Sequence, residues 1–183
     1  FSVGGGIRSV SDMQKVLLAG ADKISINSAA VLNPKIILEG AKLFGSQCIV
    51  LGIDVQKNKR MPSGYEIVIA GGRNPMGIDA INWVQKAEKL GAGEICVNSI
   101  DEDGRRQGYD LDLLKKVKQA VKIPVIASGG VGNLKHLAEG AKIADAVLAA
   151  SIFHYKKYTI PQVKKYLNNL PAGKAGKNIC VRI

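Results

Sequence analysis

Cysteines, histidines and long apolar runs are scarce in this sequence, and each scarcity excludes a class of protein. The three cysteines, Cys48, Cys96 and Cys180, are odd in number and lack metal-ligand spacing, which excludes a disulfide scaffold and a zinc site. We expect free thiols, with the first two buried in strands. No apolar run approaches the roughly 20 residues of a membrane span, and the N-terminus lacks a signal-like segment. The sequence predicts a cytoplasmic protein with no membrane partner.

The residues that bind metals are also too few and too scattered for a metal site. His136 and His154 have no second ligand near them in the sequence, so structural or surface roles are expected. The acidic run at 101–103 lacks the later ligands and the terminal glutamate of a calcium loop. We therefore expect no metal and no cofactor.

Aromatic residues make up only 5% of the chain, although its net charge is +11. The lysines fall on predicted helix faces with few aromatics between them, so nucleic-acid binding is not expected. A basic field also attracts small, multiply anionic substrates. The charge therefore favours such a substrate, provided that phosphate-binding loops are present.

Short apolar runs alternate with amphipathic helical stretches along all 183 residues. The runs lie at residues 2–3, 23–27, 48–54, 94–98, 124–128 and 146–150. Strand followed by helix, repeated, is typical of right-handed βαβ units around a parallel sheet. The pattern predicts one α/β domain over residues 1–183, a TIM barrel of the phosphate-binding kind with about six β/α units.

Polar and glycine residues mark the expected helix ends. The predicted N-caps are Ser11, Asn33, Asp79 and Asp110, and the predicted terminating glycines are Gly20, Gly45 and Gly91. Residues 56–77 form the longest irregular segment, with a hairpin expected around Ser63-Gly64 and a return strand at 66–70. We expect this segment to be a mobile flap over the carboxyl ends of the strands.

One two-strand unit occurs twice in the sequence. Glycines at 4–6 are followed 22 positions after Gly6 by Ser28, and glycines at 129–130 are followed 21 positions after Gly130 by Ser151. Glycines after a strand let the backbone approach an oxygen, and a Ser or Asn after the next strand completes a phosphate cradle. Two such cradles predict a substrate with a phosphate at each end.

Carboxylates at strand ends are the candidates for acid–base chemistry. Asp54 ends an apolar strand, where a barrel active site lies, with a loop cap or a pair with Lys57 as the alternative. Asp101 or Asp103 could share this role or belong to an ordinary turn. Lys23 and Glu94 open strands at the opposite face, where charge usually serves stability.

These motifs resemble the cyclase subunit of imidazole glycerol phosphate synthase, HisF type, from histidine biosynthesis. The matching motifs are VGGGIR at 3–8, GADKISINSAA at 20–30, GAGEI at 91–95, NSIDEDG at 98–104, GYD at 108–110, IPVIASGG at 123–130 and LAASIFH at 148–154. The resemblance implies an ammonia-dependent lyase. It converts a bisphosphorylated ribulosyl-formimino aminoimidazole carboxamide nucleotide to imidazole glycerol phosphate and aminoimidazole carboxamide ribotide.

The resemblance also implies roles for particular residues and a glutaminase partner docked on the N-terminal face. Asp54 and Asp103 match catalytic aspartates, and Lys23 and Glu94 match residues at the entrance of the ammonia tunnel. The residues that match substrate or phosphate contacts are Gly6, Asn27, Ser28, Asn98, Gly104, Gly130 and Ser151.

The family has eight strands, and this sequence starts on the equivalent of the third. We therefore expect a truncated barrel whose two unpaired edges favour aggregation or self-association. Three alternatives stay open: a cyclase-like partner of an amidotransferase for surface sugars, the sibling isomerase of the histidine pathway, and a phosphate-binding barrel fragment without catalysis. The charged pair Lys23 and Glu94 favours the cyclase over the isomerase.

Overall fold

A curved parallel sheet forms the centre of the computed structural model, which describes residues 1–170. Six parallel strands follow the order β1, β2, β3, β6, β7, β8, and two antiparallel strands, β4 and β5, extend from β3. The strands are β1 Ser2–Gly4, β2 Lys23–Ile26, β3 Ile49–Lys57, β4 Tyr65–Ile69, β5 Asn74–Asp79, β6 Glu94–Ser99, β7 Val125–Ser128 and β8 Ala146–Val147. The predicted six-unit parallel architecture is confirmed.

Helices cover the outer face of the sheet. They are α1 Val10–Leu18, α2 Ser28–Leu32, α3 Lys35–Phe44, α4 Ala80–Leu90, α5 Leu111–Ala120, α6 Leu134–Ala141, α7 Ser151–His154 and α8 Ile160–Asn168. No helix in residues 1–170 is both long enough and apolar enough to cross a membrane.

Alternation along the strands divides the sheet into two faces. Ile24, Leu51 and Ile95 lie on the helix-covered face and are fully buried, as expected for side chains packed between a sheet and its helices. The intervening positions, such as Ser25 and Cys96, are only half-buried. This second face is the interior surface of the barrel, and it carries the polar residues of interest.

Side-chain caps start several of the helices. The Asp79 carboxylate accepts hydrogen bonds from the amides of Ile81 and Asn82, and Asp110 accepts one from Leu113, which confirms both predicted caps. The prediction for α1 was wrong, because Ser9 rather than Ser11 is the cap and accepts from the amide of Asp12.

The predicted cap of α3 was also wrong. Asn33 makes no side-chain cap there, since Pro34 occupies the N-cap position. The helix ends were predicted correctly. Gly45 and Gly91 are C-caps of α3 and α4, and Gly20 follows the C-cap of α1 with a φ of 105°.

The segment after Asp54 forms paired strands and is not the irregular segment that was predicted. β4 pairs antiparallel with β3 and its five residues are all buried, and β5 adds a second antiparallel pairing that the sequence analysis did not predict. The buried carboxylate of Glu66 accepts hydrogen bonds from the side chains of Gln56 and Asn58 and from the amide of Gly77. These contacts hold the three strands together, so we call residues 49–79 the three-strand ribbon.

The ribbon is also fixed to α5 by a polar cluster. The Tyr65 hydroxyl lies 3.0 Å from Asp110 and 3.1 Å from Asp112, and Lys57 pairs with Asp110 at 3.3 Å. Burial, followed by the two nearby carboxylates, raises the pKa of Tyr65 well above its ordinary value. The hydroxyl therefore stays protonated and donates to these carboxylates.

Some details of the sheet edges and the cysteines differ from expectation. The last strand is only two residues long, shorter than the predicted 146–150. In the described part of the chain, β1 pairs only with β2 and β8 only with β7; self-association through these edges stays a prediction. Cys48 and Cys96 are free thiols, as predicted, but both are half-buried rather than buried, and Cys48 lies in the short 3₁₀ turn Ser46–Cys48 rather than in a strand. Cys180 lies outside the described residues.

Candidate active site

Three polar side chains meet at the carboxyl ends of neighbouring strands. Asn27 follows β2, Asp54 lies on β3, and Asn98 lies on β6 directly opposite Asp54 in the register. The side-chain amide of Asn98 donates to Asp54 Oδ1 at 3.0 Å, and that of Asn27 donates to Oδ2 at 3.0 Å. Each carboxylate oxygen therefore has its own amide donor. We call these residues the Asn–Asp–Asn row.

Asp54 does not form the ion pair with Lys57 that was one alternative for it. Lys57, which could have neutralised it, instead pairs with Glu102 and Asp110. Asp54 is half-buried, and its oxygens face the interior side of the sheet together with the two amides. A carboxylate oriented by two neutral donors keeps lone pairs for a further proton or donor.

A large cavity adjoins one end of the row. Gly6, Asn27 and Ser28 line it, and its volume is about 660 Å³. Asn27 thus lies at the cavity and contacts Asp54 at the same time. The Asn27 Oδ1 atom is buried and has no hydrogen-bond partner among the described residues, so this end of the row has an unused acceptor.

A second, smaller cavity adjoins the other end. Gly104, Gly130 and Ser151 line it together with Asp103, and its volume is about 90 Å³. Asn98 reaches this side too, because a Cβ atom placed on Gly129 would lie 2.8 Å from Asn98 Oδ1. The Asn–Asp–Asn row therefore connects the two cavities, with Asp54 at its centre.

The predicted repeat appears in the geometry of both cavities. Gly6 and Gly130 have positive φ angles of 73° and 94°, and the short helices α2 and α7 begin at Ser28 and Ser151. The buried amides of Gly130 and Val131 donate no hydrogen bond within residues 1–170. Backbone donors without a partner in the protein are what a phosphate oxygen needs.

Asp101 and Asp103, in the acidic loop after β6, were both candidates for acid–base chemistry, and their contacts in the structure differ. Asp101 accepts a 2.7 Å hydrogen bond from the Lys57 amide, so its carboxylate fastens the end of β3. Asp103 is exposed and lines the small cavity, with no side-chain hydrogen bond to the row in the described residues. Of the two, Asp103 has the free carboxylate.

Lys23 and Glu94 lie at the amino ends of β2 and β6, away from the Asn–Asp–Asn row, and they form an ion pair. The ion pair spans the start of β3, because β3 lies between β2 and β6. Val50 of β3 is paired with Ser25 on one side and with Glu94 on the other. Both side chains remain partly exposed, 35% and 20%. The pair therefore lies at the N-terminal end of the interior face.

Small side chains separate this ion pair from the Asn–Asp–Asn row. A Cβ atom on Gly52 would lie only 3.5 Å from Ser25 Oγ and 3.6 Å from Asn27 Cβ. Cys96 lies opposite Gly52, and burial, with added repulsion from Asp54 and Glu94, raises its pKa to about 11. The interior face between the two charged sites thus carries uncharged groups.

Two arginines that line the cavities were not among the site residues predicted from the sequence. Arg8 lines the large cavity and Arg106 the small one. Arg8 lies inside the first glycine motif, so its position was a usable signal. Arg106 had none, because only folding brings its loop against Gly130.

Comparisons with known proteins identify the family of the chain. The family model described as "Histidine biosynthesis protein" matches residues 1–159. The chain therefore belongs to this family of TIM-barrel proteins, in agreement with the predicted fold class.

More specific relatives are subunits of one enzyme. The "Imidazole glycerol phosphate synthase subunit HisF" of Desulfatibacillum aliphaticivorans is 60% identical over 174 residues, with 92% of this chain and 67% of the relative covered. The proteins of the same name from Syntrophobacter fumaroxidans and Desulfosudis oleivorans are each 59% identical, with the same coverage. The chain thus spans about two thirds of the length of these HisF subunits. The predicted resemblance to the cyclase subunit of histidine biosynthesis is confirmed.

Proposed function

We propose that this chain carries the ammonia-dependent cyclase chemistry of imidazole glycerol phosphate synthase. The substrate would be the bisphosphorylated ribulosyl-formimino aminoimidazole carboxamide nucleotide, and the products imidazole glycerol phosphate and aminoimidazole carboxamide ribotide. The single observation that carries the proposal is the Asn–Asp–Asn row. The row has one carboxylate between two glycine-lined cavities, and we assign one phosphate of the substrate to each cavity.

In this proposal the substrate spans the row with one phosphate in each cavity. Gly6, Asn27 and Ser28 hold the phosphate in the large cavity, and Gly104, Gly130 and Ser151 hold the other. The reacting part of the substrate then lies over Asp54 and Asn98. A carboxylate there can accept a proton from the attacking ammonia-derived nitrogen and return one to a leaving group.

Asp103 is proposed as the second acid–base group. Asp103 is exposed at the small cavity, and within residues 1–170 its carboxylate forms no hydrogen bond or ion pair. Asp101, whose carboxylate holds the Lys57 amide, is proposed as structural.

Ammonia would reach the row along the interior face from a glutaminase at the N-terminal side. The relatives are named as subunits, and the Lys23–Glu94 ion pair lies at the entrance on that side. The uncharged Ser25, Gly52 and Cys96 lie between entrance and row, and neutral ammonia loses little there, whereas an ammonium ion would pay a desolvation cost. A complex of this kind is consistent with the expected cytoplasmic location.

The test is turnover of the bisphosphorylated nucleotide with excess ammonium salt at alkaline pH, comparing Asp54→Asn, Asp103→Asn and Asp101→Asn. We expect no measurable turnover for Asp54→Asn, because the amide cannot take up a proton. Asp103→Asn should lose part of the rate, and Asp101→Asn should retain kcat. Binding of the nucleotide without turnover by the unaltered chain, or full activity in Asp54→Asn, would contradict the proposal.

A further inference from the structure

The small cavity has one cationic side chain among the residues that line it, Arg106. Arg106 is exposed, and no described carboxylate forms an ion pair with its guanidinium group. The neighbouring Arg105 differs, because its Nη1 atom lies 3.4 Å from the carbonyl oxygen of Asp101 and the residue does not line the cavity. Of these two adjacent arginines, only Arg106 lines the cavity.

The guanidinium group of Arg106 has one aromatic neighbour. It lies 4.9 Å from the centre of the Tyr155 ring, and Tyr155 directly follows α7, the short helix that begins at Ser151 of the same cavity. A cation over a ring face is attracted to it, and the planar group keeps its N–H donors free at the edge. The stacking therefore limits the orientations of Arg106 without using its donors.

The backbone of the loop that carries Arg106 is interlocked with residues 129–132, which we call the glycine loop of the cavity. The Gly108 amide donates to the Gly130 carbonyl at 2.8 Å. A Cβ atom on Gly130 would lie 2.0 Å from the Gly108 oxygen, and one on Gly132 would lie 2.2 Å from the Arg106 oxygen. Such close approach is open only to glycine, so the positions of the two loops are coupled.

The glycine loop has further supports from outside the cavity. His136 Nδ1 accepts a hydrogen bond from the Gly132 amide, and Lys157 donates to the Gly132 carbonyl at 2.6 Å. Both polar groups of Gly132 are therefore occupied, and neither is free for a ligand. The loop that receives Arg106 is held before any ligand arrives.

From these contacts we infer that Arg106 is a phosphate-binding residue of the small cavity, positioned by Tyr155 and by the interlocked loops. The inference deepens the proposed function and rests on the proposal that this cavity takes a phosphate. The backbone amides of Gly130 and Val131 supply directional hydrogen bonds, and Arg106 supplies the positive charge that these amides lack. Asp103 lines the same cavity, so the arginine also offsets the repulsion between that carboxylate and a phosphate dianion.

The test follows inorganic phosphate binding by amide chemical shifts in ¹⁵N-labelled protein, with Gly130 reporting on the small cavity and Gly6 on the large one. We expect Arg106→Gln to weaken phosphate binding at Gly130 roughly 10- to 100-fold, as for a lost charge-assisted hydrogen bond. The affinity at Gly6 should stay unchanged. Arg105→Gln, which removes the same charge from the adjacent position, should bind phosphate at Gly130 as the unaltered protein does.

Two tyrosine variants separate stacking from charge alone. Tyr155→Phe retains the ring and should bind phosphate normally, whereas Tyr155→Leu should weaken binding at Gly130 by a smaller factor than Arg106→Gln does. Equal phosphate affinity at Gly130 in Arg106→Gln and in the unaltered protein would overturn the inference and leave the phosphate cavity standing. No phosphate response at Gly130 in the unaltered protein would overturn both.

Discussion

Asn27 donates one hydrogen bond to Asp54 from the lining of the large cavity, at 3.0 Å. Asn98 makes the matching contact from the other side. The two amides look alike in their contact with the carboxylate, but they differ in what else they touch. Asn27 also borders the large cavity, and this difference can be measured.

Alanine substitutions in the row should therefore have different kinetic effects. Asn98→Ala removes one donor to Asp54, and we expect kcat to fall about 10- to 100-fold with a smaller change in KM. Asn27→Ala removes a donor and a cavity side chain, so kcat should fall and KM should rise. Steady-state kinetics with saturating ammonium salt measures both. Identical effects of the two substitutions would show that Asn27 has no separate contact with the substrate.

The ion pair at the entrance should matter only when ammonia comes from a partner. Lys23→Ala and Glu94→Ala should leave ammonium-driven turnover nearly unchanged and reduce glutamine-driven turnover in the complex with a glutaminase. Lys118→Ala is the matched control, since Lys118 forms an ion pair with Asp145 elsewhere. Equal loss of both activities in the Lys23 variant would contradict a role at the entrance.

Gly130 should be among the least replaceable glycines in the chain. In Gly130→Ala the new Cβ atom would meet the Gly108 oxygen at 2.0 Å, on a backbone with a φ of 94°. We expect a loss of about 3 kcal/mol or more in the free energy of unfolding, from strain and overpacking together. Gly64→Ala has a similar φ of 83° with open space around the Cβ position, so it should cost only about 1 kcal/mol. Denaturant unfolding compares the two variants.

Glu66 should make the stability of the protein depend on pH in the acid range. The hydrogen bond from Asn58, which outweighs the effect of burial, lowers the pKa of Glu66, and the Gly77 amide and Gln56 add to this effect. A lowered pKa in the folded state means that the stabilisation is complete above the pKa of the unfolded chain, about 4.3. It is then lost as the pH falls through the folded pKa.

The variant Glu66→Gln tests this dependence. It leaves the amide of Gly77 without its charged acceptor, so we expect a loss of about 1–3 kcal/mol at neutral pH and a weaker decline in acid. Glu39→Gln, on the exposed face of α3, should follow the curve of the unaltered protein. Unfolding free energies between pH 3 and pH 7 measure the difference, and parallel curves for the Glu66 variant and the unaltered protein would contradict the assignment.

Cys96 should be slow to react with thiol reagents. Its pKa is raised to about 11, so the reactive thiolate is scarce in the folded protein at pH 8. Mass spectrometry after alkylation should find Cys96 modified much more slowly in the folded protein than in denaturant. Equal rates in both conditions would contradict the raised pKa of Cys96 on the interior face.

The parallel sheet was predictable because each strand and each helix leaves a local mark. Alternating apolar runs, Asp79 and Asp110 before helices, and Gly45 and Gly91 after them all depend on neighbours in sequence. Ser9 and Ser11 are both suitable N-cap residues for α1. In the structure the Asp12 carboxylate accepts a hydrogen bond from the Arg8 amide, and Asp12 belongs to the turn that begins at Ser9. Local patterns do not resolve two such similar starts.

The candidate site was only partly predictable, because its contacts depend on register. The glycine spacing indicated both cavities and the strand end indicated Asp54. Nothing local indicates that Asn27 and Asn98 bond to opposite oxygens of Asp54, since that depends on how three strands align. The role of Asp101 at the end of β3 and the contact of Arg106 with Gly132 likewise arise from contacts between segments that are distant in sequence.

The same sequence pattern lines both cavities, yet their volumes differ, about 660 Å³ for the large cavity and about 90 Å³ for the small one. Asn27 borders only the large cavity, and Asp103 borders only the small one. A molecule with a phosphate at each end therefore meets different surroundings at its two ends. If such a molecule is the substrate, we expect it to bind in one direction only, because the residues that differ between the two halves distinguish its two ends.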